Sequence, residues 1–238
     1  MTTNYLAETK ILNYQHSTIQ ALIEHKNWQE FSKKQALKAV YYFIRDEIKF
    51  GYNCDDTIAA SEVLSNGYGQ CNTKGSLFMA ILRALNVPCR LHGFTIYNAL
   101  QRGAIPNYLM KIAPKRILHS WVEVEIDGQW FNHEGFIIDE LFLTKIQQSF
   151  ANNGSFSGFG IDVQQLQNPP NEFNGGSTYI QSGGIADDYG VFNSPDDFYS
   201  AYGSNLYGFK KFIYRYGLRH LINHNVEKIR KNGVKLNN

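Results

Sequence analysis

Three residues whose side chains together support thiol chemistry occur in order along the chain: Cys71, His119 and Glu134. A cysteine attacks as its thiolate, and the exposed amides at a helix N-terminus lower the pKa of a thiol placed there. Histidine accepts and returns a proton near neutral pH, and a carboxylate can fix the tautomer of its ring. A nucleophile, a base and an orienting carboxylate in this order favour catalysis through an acyl-enzyme.

The surroundings of Cys71 place it at the start of a helix. Apolar residues recur at helical spacing after it, and the pattern predicts a helix from Cys71 to Leu85 that ends before Pro88. Gly69 allows a tight approach of the backbone, and the Cys71 amide is free to donate to an oxyanion. The alternative is structural, because free cysteines are often small core residues.

His119 and Glu134 fall on two strands joined by an Asp-Gly turn, 117–126 and 129–138. A two-residue turn sets a register in which Trp121 faces Glu134, which makes Glu134 a diagonal neighbour of His119 on the same sheet face. Their Cα atoms would lie roughly 7 to 8 Å apart, a gap that a long side chain can bridge. The register therefore predicts a hydrogen bond between the Glu134 carboxylate and the imidazole.

These residues lie in motifs that together resemble the transglutaminase-like superfamily over about Lys33 to Ile138. The motifs are Ala60-Ser61-Glu62-Val63-Leu64, Gly67-Tyr68-Gly69-Gln70-Cys71, Leu82-Arg83-Ala84-Leu85-Asn86-Val87-Pro88-Cys89-Arg90, His119-Ser120-Trp121-Val122-Glu123-Val124 and Asp127-Gly128-Gln129-Trp130.

The resemblance implies a papain-like fold with Cys71 as nucleophile and His119 as general base. The third catalytic position of the family is usually Asp, four residues after the second-strand Trp, and it falls on Glu134 here. The residue after the nucleophile, Trp in the animal cross-linking enzymes, is Asn72. The substrate of those enzymes is therefore not carried over to this chain.

Three further residues are assigned to the oxyanion site and the substrate cleft: Gln70, Trp121 and Trp130. Gln70 precedes the nucleophile and could polarise a carbonyl, or it could pack at the tight turn. Trp121 and Trp130 share the face of His119 and could wall the cleft against water, although cross-strand packing of aromatic rings also explains them.

The remaining patterns predict an α+β fold in which N-terminal helices, including one over 33–48, pack on an antiparallel sheet. A strand is expected over 89–97. Residues 151–190 are rich in Asn, Gly and Ser and read as a long loop, followed by a helix from Ser194 and a last helix over 207–231. We expect a core over 1–150 and a loop-rich and helical extension over 151–238 that packs on it without forming an independent domain.

Composition narrows the classes of partner. The 238 residues are 43% hydrophobic and carry a formal charge of +2, which gives no electrostatic reason to expect nucleic acid or a membrane. The basic and aromatic last helix reads better as an amphipathic helix docked on the core. Three cysteines without a Cys-x-x-Cys pair disfavour a disulfide framework and a zinc site, so no metal and no cofactor are expected. The first ten residues lack a secretion signal, and we expect a soluble, cytoplasmic protein.

The sequence thus favours a thiol-dependent hydrolase or acyltransferase that acts on peptide or amide bonds of a peptide or protein substrate. Hydrolysis is preferred because water is always available as an acceptor, whereas an amine acceptor would give transfer. The alternative is a catalytically silent peptide-binding or assembly module of the same fold. Neither the particular substrate nor the oligomeric state follows from the residues.

Overall fold

The computed structural model of the chain describes residues 4–110 and 113–234. Its α-helices are α1 (Ser17–His25), α2 (Lys33–Tyr42), α3 (Ala60–Asn66), α4 (Cys71–Ala84), α5 (Asn107–Met110), α6 (Glu140–Ser149), α7 (Pro195–Tyr202), α8 (Gly208–Ile213) and α9 (Arg219–Asn232). Its strands are β1 (Lys49–Phe50), β2 (Tyr68–Gly69), β3 (Cys89–Tyr97), β4 (Arg116–Ile126), β5 (Gln129–His133), β6 (Phe156–Gly158), β7 (Ile161–Val163) and β8 (Ile185–Phe192). Residues 1–3 of the N-terminal segment, and residues 111–112 before β4, lie outside the described part.

The central helix α4 is buried along almost its whole length, from Cys71 to Arg83. It lies on one face of an antiparallel sheet with the strand order β5-β4-β3-β8. Val122 of β4 approaches α4 closely enough that a Cβ on Gly75 would lie 3.5 Å from it. Burial of this face excludes water from the contact and stabilises the helix where it meets β4. The α+β architecture and the N-terminal helices on an antiparallel sheet are confirmed.

The hairpin that carries the candidate site has the register predicted from the sequence. Val122 pairs with His133 and Ile126 pairs with Gln129, so the loop has two residues. Asp127 and Gly128 both have positive φ, 53° and 78°, as a type I′ turn requires. The second strand ends at His133, however, and not near residue 138 as predicted, because the chain turns away at Glu134.

Residues 151–190 differ from the predicted long loop. They include the small β6–β7 hairpin and most of β8, which pairs with β3 along one edge of the main sheet. Because β8 completes this sheet, the segment after residue 150 supplies part of the core architecture. Ser194 caps α7 as predicted, accepting a hydrogen bond from the Asp197 amide, and Pro195 is the first helical residue.

Two predicted helices contain a π-helical turn. The helix predicted over 33–48 is α-helical to Tyr42 and continues as a π turn over Phe43–Glu47. The predicted last helix is divided into α8, a π turn over Tyr214–Leu218, and α9. Within the described ranges, every helix is too short or too polar to cross a bilayer.

Candidate active site

Cys71 is the first residue of α4, as predicted, and Gln70 is the N-cap. Its side chain is buried, with 8% of the residue exposed, and it faces a cavity of about 230 Å³. The first amides of a helix have no partner within the helix, so the backbone at Cys71 and Asn72 can donate to an anion formed at the thiol or on a bound carbonyl.

Asn72 fixes the start of α4 against the strand that carries His119. Its side-chain amide donates to the carbonyl of Leu118 at 3.1 Å, and its oxygen accepts from the hydroxyl of Ser120 at 3.0 Å. The two contacts lie on either side of His119 in the sequence, 46 and 48 residues from Asn72. The residue that follows the candidate nucleophile thus positions the helix start beside the candidate base.

The His119 ring is fully buried and stacks on Phe94, with 4.9 Å between the ring centroids. Its Nε2 atom is hydrogen-bonded to the side-chain oxygen of Gln181, whose amide nitrogen donates to the carbonyl of Gly160. Among the described residues, its Nδ1 atom has no hydrogen-bond partner. One ring nitrogen is therefore held in place, and the other is available to a reacting group.

Glu134 is also fully buried, and its Oε1 lies 3.8 Å from Nε2 of His119. This distance is longer than a hydrogen bond, so the direct carboxylate–imidazole bond expected from the sequence is not formed in this state. The backbone amides of Ile180 and Gln181 instead donate to Oε2 of Glu134, at 3.2 and 3.0 Å. Glu134 thus anchors the segment whose Gln181 side chain contacts the imidazole.

Burial sets the protonation of the three groups. Burial, followed by the negative charges of Asp56 and Glu134, raises the pKa of Cys71 well above its usual value. Burial lowers the pKa of His119 to about 4 and raises the pKa of Glu134 to about 7. Burial therefore favours the neutral forms of the thiol and the imidazole near pH 7.

The cavity at Cys71, called here the Cys71 cavity, is lined by the start of α4 and by Gln101, Ile105 and Leu109 after β3, and three further parts of the chain wall it. One wall is the loop after β1, including Tyr52 and Asp56, and a second is the segment around β4 with Ile117 and Leu118. The third wall comes from the C-terminal part of the chain, with Ser204, Asn205, Leu206, Lys210, Lys211, Ile213, Tyr214, Leu218 and Ile222. The part of the chain after residue 203 therefore supplies much of the cavity wall.

Of the other predicted cleft residues, Gln70 lines the Cys71 cavity, whereas the two tryptophans have other surroundings. The side chain of Gln70 accepts from the amide of Asn53 at 2.8 Å and donates to Asp56 at 2.9 Å, so both ends of its amide are engaged at the turn. Trp121 packs on His92 and Phe94. Neither Trp121 nor Trp130 lines the Cys71 cavity, whose walls are the ones given above.

Trp130 contacts residues near the N-terminus and on β3 rather than the cavity. Its ring meets that of Tyr5 at 5.1 Å, and the guanidinium of Arg90 lies 4.0 Å from its centroid. The expected cleft wall of tryptophans is replaced by cross-strand packing, the structural alternative for these residues. Among the described residues, no group of three or more His, Cys, Asp and Glu side chains is arranged to hold a metal ion.

Gln181 and Asn205 are the residues of the site that the sequence analysis did not identify. Both lie in the extension, 62 residues after His119 and 87 residues after Leu118 respectively. Single polar residues in a Gly- and Asn-rich stretch carry no local signal of this kind. The paired glycines at 183–184 interrupt any periodicity, and apolar residues such as Ile180 indicate only that the stretch packs on another part of the chain.

Comparisons with known proteins agree with this architecture. The family model described as the transglutaminase-like superfamily matches residues 14–134. The chain therefore belongs to the transglutaminase-like superfamily. A search of curated proteins finds no match.

Two solved structures match most of this chain at low sequence identity. One is described as a "putative cysteine protease" from Cytophaga hutchinsonii, with 13% identity and a TM-score of 0.46 over 81% of this chain and 47% of that one. The other is red sea bream transglutaminase, with 12% identity and a TM-score of 0.33 over 84% of this chain and 37% of that one. The chain thus spans less than half of either.

Proposed function

We propose that the protein is a thiol-dependent hydrolase or acyltransferase acting on peptide or amide bonds, with Cys71 as nucleophile, His119 as general base and Glu134 as the supporting carboxylate. The observation that carries the proposal is the buried group formed by His119, Gln181 and Glu134 beside the N-terminus of α4. Membership of the superfamily supports a thiol enzyme, and the cavity at Cys71 offers room for part of a substrate.

In the proposed reaction the Cys71 thiol gives its proton to His119 as sulfur attacks the carbonyl carbon. The tetrahedral oxyanion is met by the free amides at the start of α4. The imidazolium then protonates the leaving amine as the carbon–nitrogen bond breaks, which leaves a thioester on Cys71. Water attacks the thioester, gives its proton to His119, and releases the acid and the thiol; an amine in place of water would give transfer.

Gln181 and Glu134 support the base in this scheme. The Gln181 oxygen fixes the orientation of the ring, and the neighbouring carboxylate stabilises the imidazolium formed during attack. An ionised Glu134 within 3.8 Å of Nε2 favours the protonated ring once a substrate brings the thiol and Nδ1 together.

The direct test compares cysteine variants in an assay of amine release from a denatured protein such as casein. Cys71→Ala and His119→Gln should each abolish release, because each removes one partner of the thiol–imidazole pair. Cys89→Ala should retain release, since this thiol is buried in the core, donates to the carbonyl of Met79 and does not line the Cys71 cavity. Adding a fluorescent primary amine should label the product at an unchanged rate of amine release if transfer competes with hydrolysis.

A silent binding module is the second candidate, and Glu134 favours it, because it stands where the family usually has Asp and lies 3.8 Å from Nε2 of His119, beyond hydrogen-bond distance. It predicts that iodoacetamide modifies Cys71 no faster than Cys54 near neutral pH, and that His119→Gln leaves this rate unchanged. Faster modification of Cys71 that falls in His119→Gln would exclude the silent module.

The free cysteines suit a reducing compartment, and we propose a cytoplasmic location for the enzyme. We also propose that residues 151–238 fold with residues 1–150 as one unit. Support comes from β8, which lies in the same sheet as β4, and from Gln181, which contacts His119.

A further inference from the structure

Among the described residues, the first half of β4 lacks a strand partner on the side away from β3, beside the candidate site. β4 spans Arg116–Ile126, but β5 pairs with it only from Val122 to Ile126. In the first half of β4, the backbone amides and carbonyls that point away from β3 therefore form no hydrogen bonds with β5. Unpaired groups at a strand edge are a template for an added segment of extended chain.

The side chain of Asn205 occupies this edge at Leu118, the residue before His119. Its oxygen accepts from the Leu118 amide at 2.7 Å, and its nitrogen donates to the Leu118 carbonyl at 3.3 Å. The same nitrogen donates to Oδ2 of Asp56 at 2.9 Å. A carboxamide carries the acceptor and donor of a peptide unit, so Asn205 makes the pair of bonds that an added strand would make.

Two further contacts hold the same segment over the Cys71 cavity. The ammonium group of Lys211 forms an ion pair with Asp55, and the hydroxyl of Tyr214 donates to the carbonyl of Asn53 at 3.1 Å. Both carboxylates of the cavity wall, Asp55 and Asp56, are thus engaged by residues of the C-terminal segment. A lysine side chain in an acidic part of a cavity beside a candidate nucleophile is the arrangement that a basic substrate would adopt.

We propose that the Cys71 cavity is a subsite for an extended peptide with a basic side chain, and that residues 204–214 are its built-in occupant. In this proposal, which rests on the proposed function, the peptide backbone pairs with Leu118 at the free edge of β4. A lysine or arginine of the peptide replaces Lys211 at Asp55. The segment from Ser204 to Tyr214 must withdraw before the peptide binds.

The packing of the C-terminal helices allows such withdrawal. Neither α8 nor the π turn after it contains a buried residue. α9 is instead anchored in the core: Arg230 binds Asp139 at 2.7 Å, and Asn223 exchanges two hydrogen bonds with the backbone of Tyr52. The segment can therefore lift from the cavity while α9 stays in place.

The first test measures how fast iodoacetamide modifies Cys71 in the full chain. The double variant Asn205→Ala/Lys211→Ala should react about tenfold faster than the natural protein, because two contacts that hold the closed state are lost. Lys228→Ala is the matched control, since this exposed lysine of α9 lies outside the cavity wall and makes no ion pair among the described residues, and it should react at the natural rate. Equal rates in all three proteins would overturn the proposal.

The second test adds the occupant back as a separate molecule. A synthetic peptide of residues 203–214 should protect Cys71 of the double variant from iodoacetamide, and the peptide with alanine in place of Lys211 should protect several-fold less. The difference between the peptides should vanish in the triple variant that also carries Asp55→Asn. Equal protection by both peptides in the double variant would contradict a basic subsite.

These measurements separate this inference from the proposed function, because alkylation requires no turnover. Faster alkylation and selective protection without amine release from casein would refute the enzyme and leave the peptide subsite standing. Amine release with no change in alkylation would refute the peptide subsite and leave the enzyme standing. The urea midpoint of the double variant should equal that of the control, since α9 keeps its anchors. If the midpoint of the double variant is lower, the peptide protection test still decides the proposal.

Discussion

The buried pair of Glu134 and His119 should give two opposite dependences of stability on pH. Burial raises the pKa of Glu134 from 4.5 to about 7, so the folded state binds a proton before the unfolded state does as the pH falls. This contribution to the free energy of unfolding is fully present below pH 4.5 and is lost as the pH rises through 7. The lost amount is about 3 kcal/mol.

His119 acts in the other direction. Burial lowers its pKa from 6.5 to about 4, so the unfolded state binds the proton first as the pH falls. Its contribution is fully present above pH 6.5 and is lost as the pH falls toward 4, again by about 3 kcal/mol. In the natural protein the two pH dependences of the free energy of unfolding nearly cancel, so neither is visible in that protein alone.

Variants in which only one of the two groups is replaced should reveal the two pH dependences. The assay is urea unfolding followed by tryptophan fluorescence from about pH 8 to about pH 4. Glu134→Gln keeps an acceptor for the amides of Ile180 and Gln181 but removes the titration. When the pH is lowered across this range, the free energy of unfolding of the natural protein should rise by about 3 kcal/mol relative to that of Glu134→Gln. It should fall by about as much relative to that of His119→Gln. Other groups, such as His133, contribute equally to each protein and cancel in the differences.

Glu24→Gln provides the control, because this glutamate is exposed on α1; its difference from the natural protein should stay within about 0.5 kcal/mol throughout. Difference curves for Glu134→Gln and His119→Gln that are flat, or that slope in the same direction, would show that the two groups are not desolvated in the way the structure describes.

Three further substitutions test the elements that position the site. Asn72→Ala removes the hydrogen bonds between α4 and β4, and should lower the urea-unfolding free energy by about 2 kcal/mol and reduce kcat at unchanged KM; unchanged kinetics would argue against a positioning role. Arg230→Met leaves the buried Asp139 carboxylate unpaired, and calorimetry should show about 3 to 5 kcal/mol lost, with a loss under 1 kcal/mol contradicting burial of the pair. Gly93→Ala places a Cβ 2.5 Å from the Phe198 ring and should cost about 1 to 3 kcal/mol by urea unfolding; a neutral result would mean that the ring is free to move.

Local patterns of the sequence predicted the parts of the site that lie in regular elements. The helix that begins at Cys71 and the register of the β4–β5 hairpin from Val122 to Ile126 both follow from short-range signals, apolar spacing in one case and an Asp-Gly turn in the other. The superfamily follows from motifs around the same residues.

Strand β8 is an element that local patterns of the sequence did not predict. Its sequence, Ile-Ala-Asp-Asp-Tyr-Gly-Val-Phe over 185–192, has two acidic residues and a glycine and none of the alternation that predicts a strand. It is a strand because the edge of β3 offers partners. Asp187 accepts from the hydroxyl of Thr95 at 2.7 Å, and Asp188 contacts His92 at 2.7 Å.

By itself, the sequence determined the α4 helix with its N-terminal thiol, the β4–β5 hairpin and the order of the three candidate groups, because each depends on neighbours a few positions apart. Only the tertiary structure decided that Gln181 rather than Glu134 is hydrogen-bonded to the imidazole, and that Asn205 and Lys211 line the cavity at Cys71. These contacts join residues 62 to 156 positions apart. A polar group that burial removes from water needs a hydrogen-bond or ionic partner, and folding brings that partner from a distant part of the sequence.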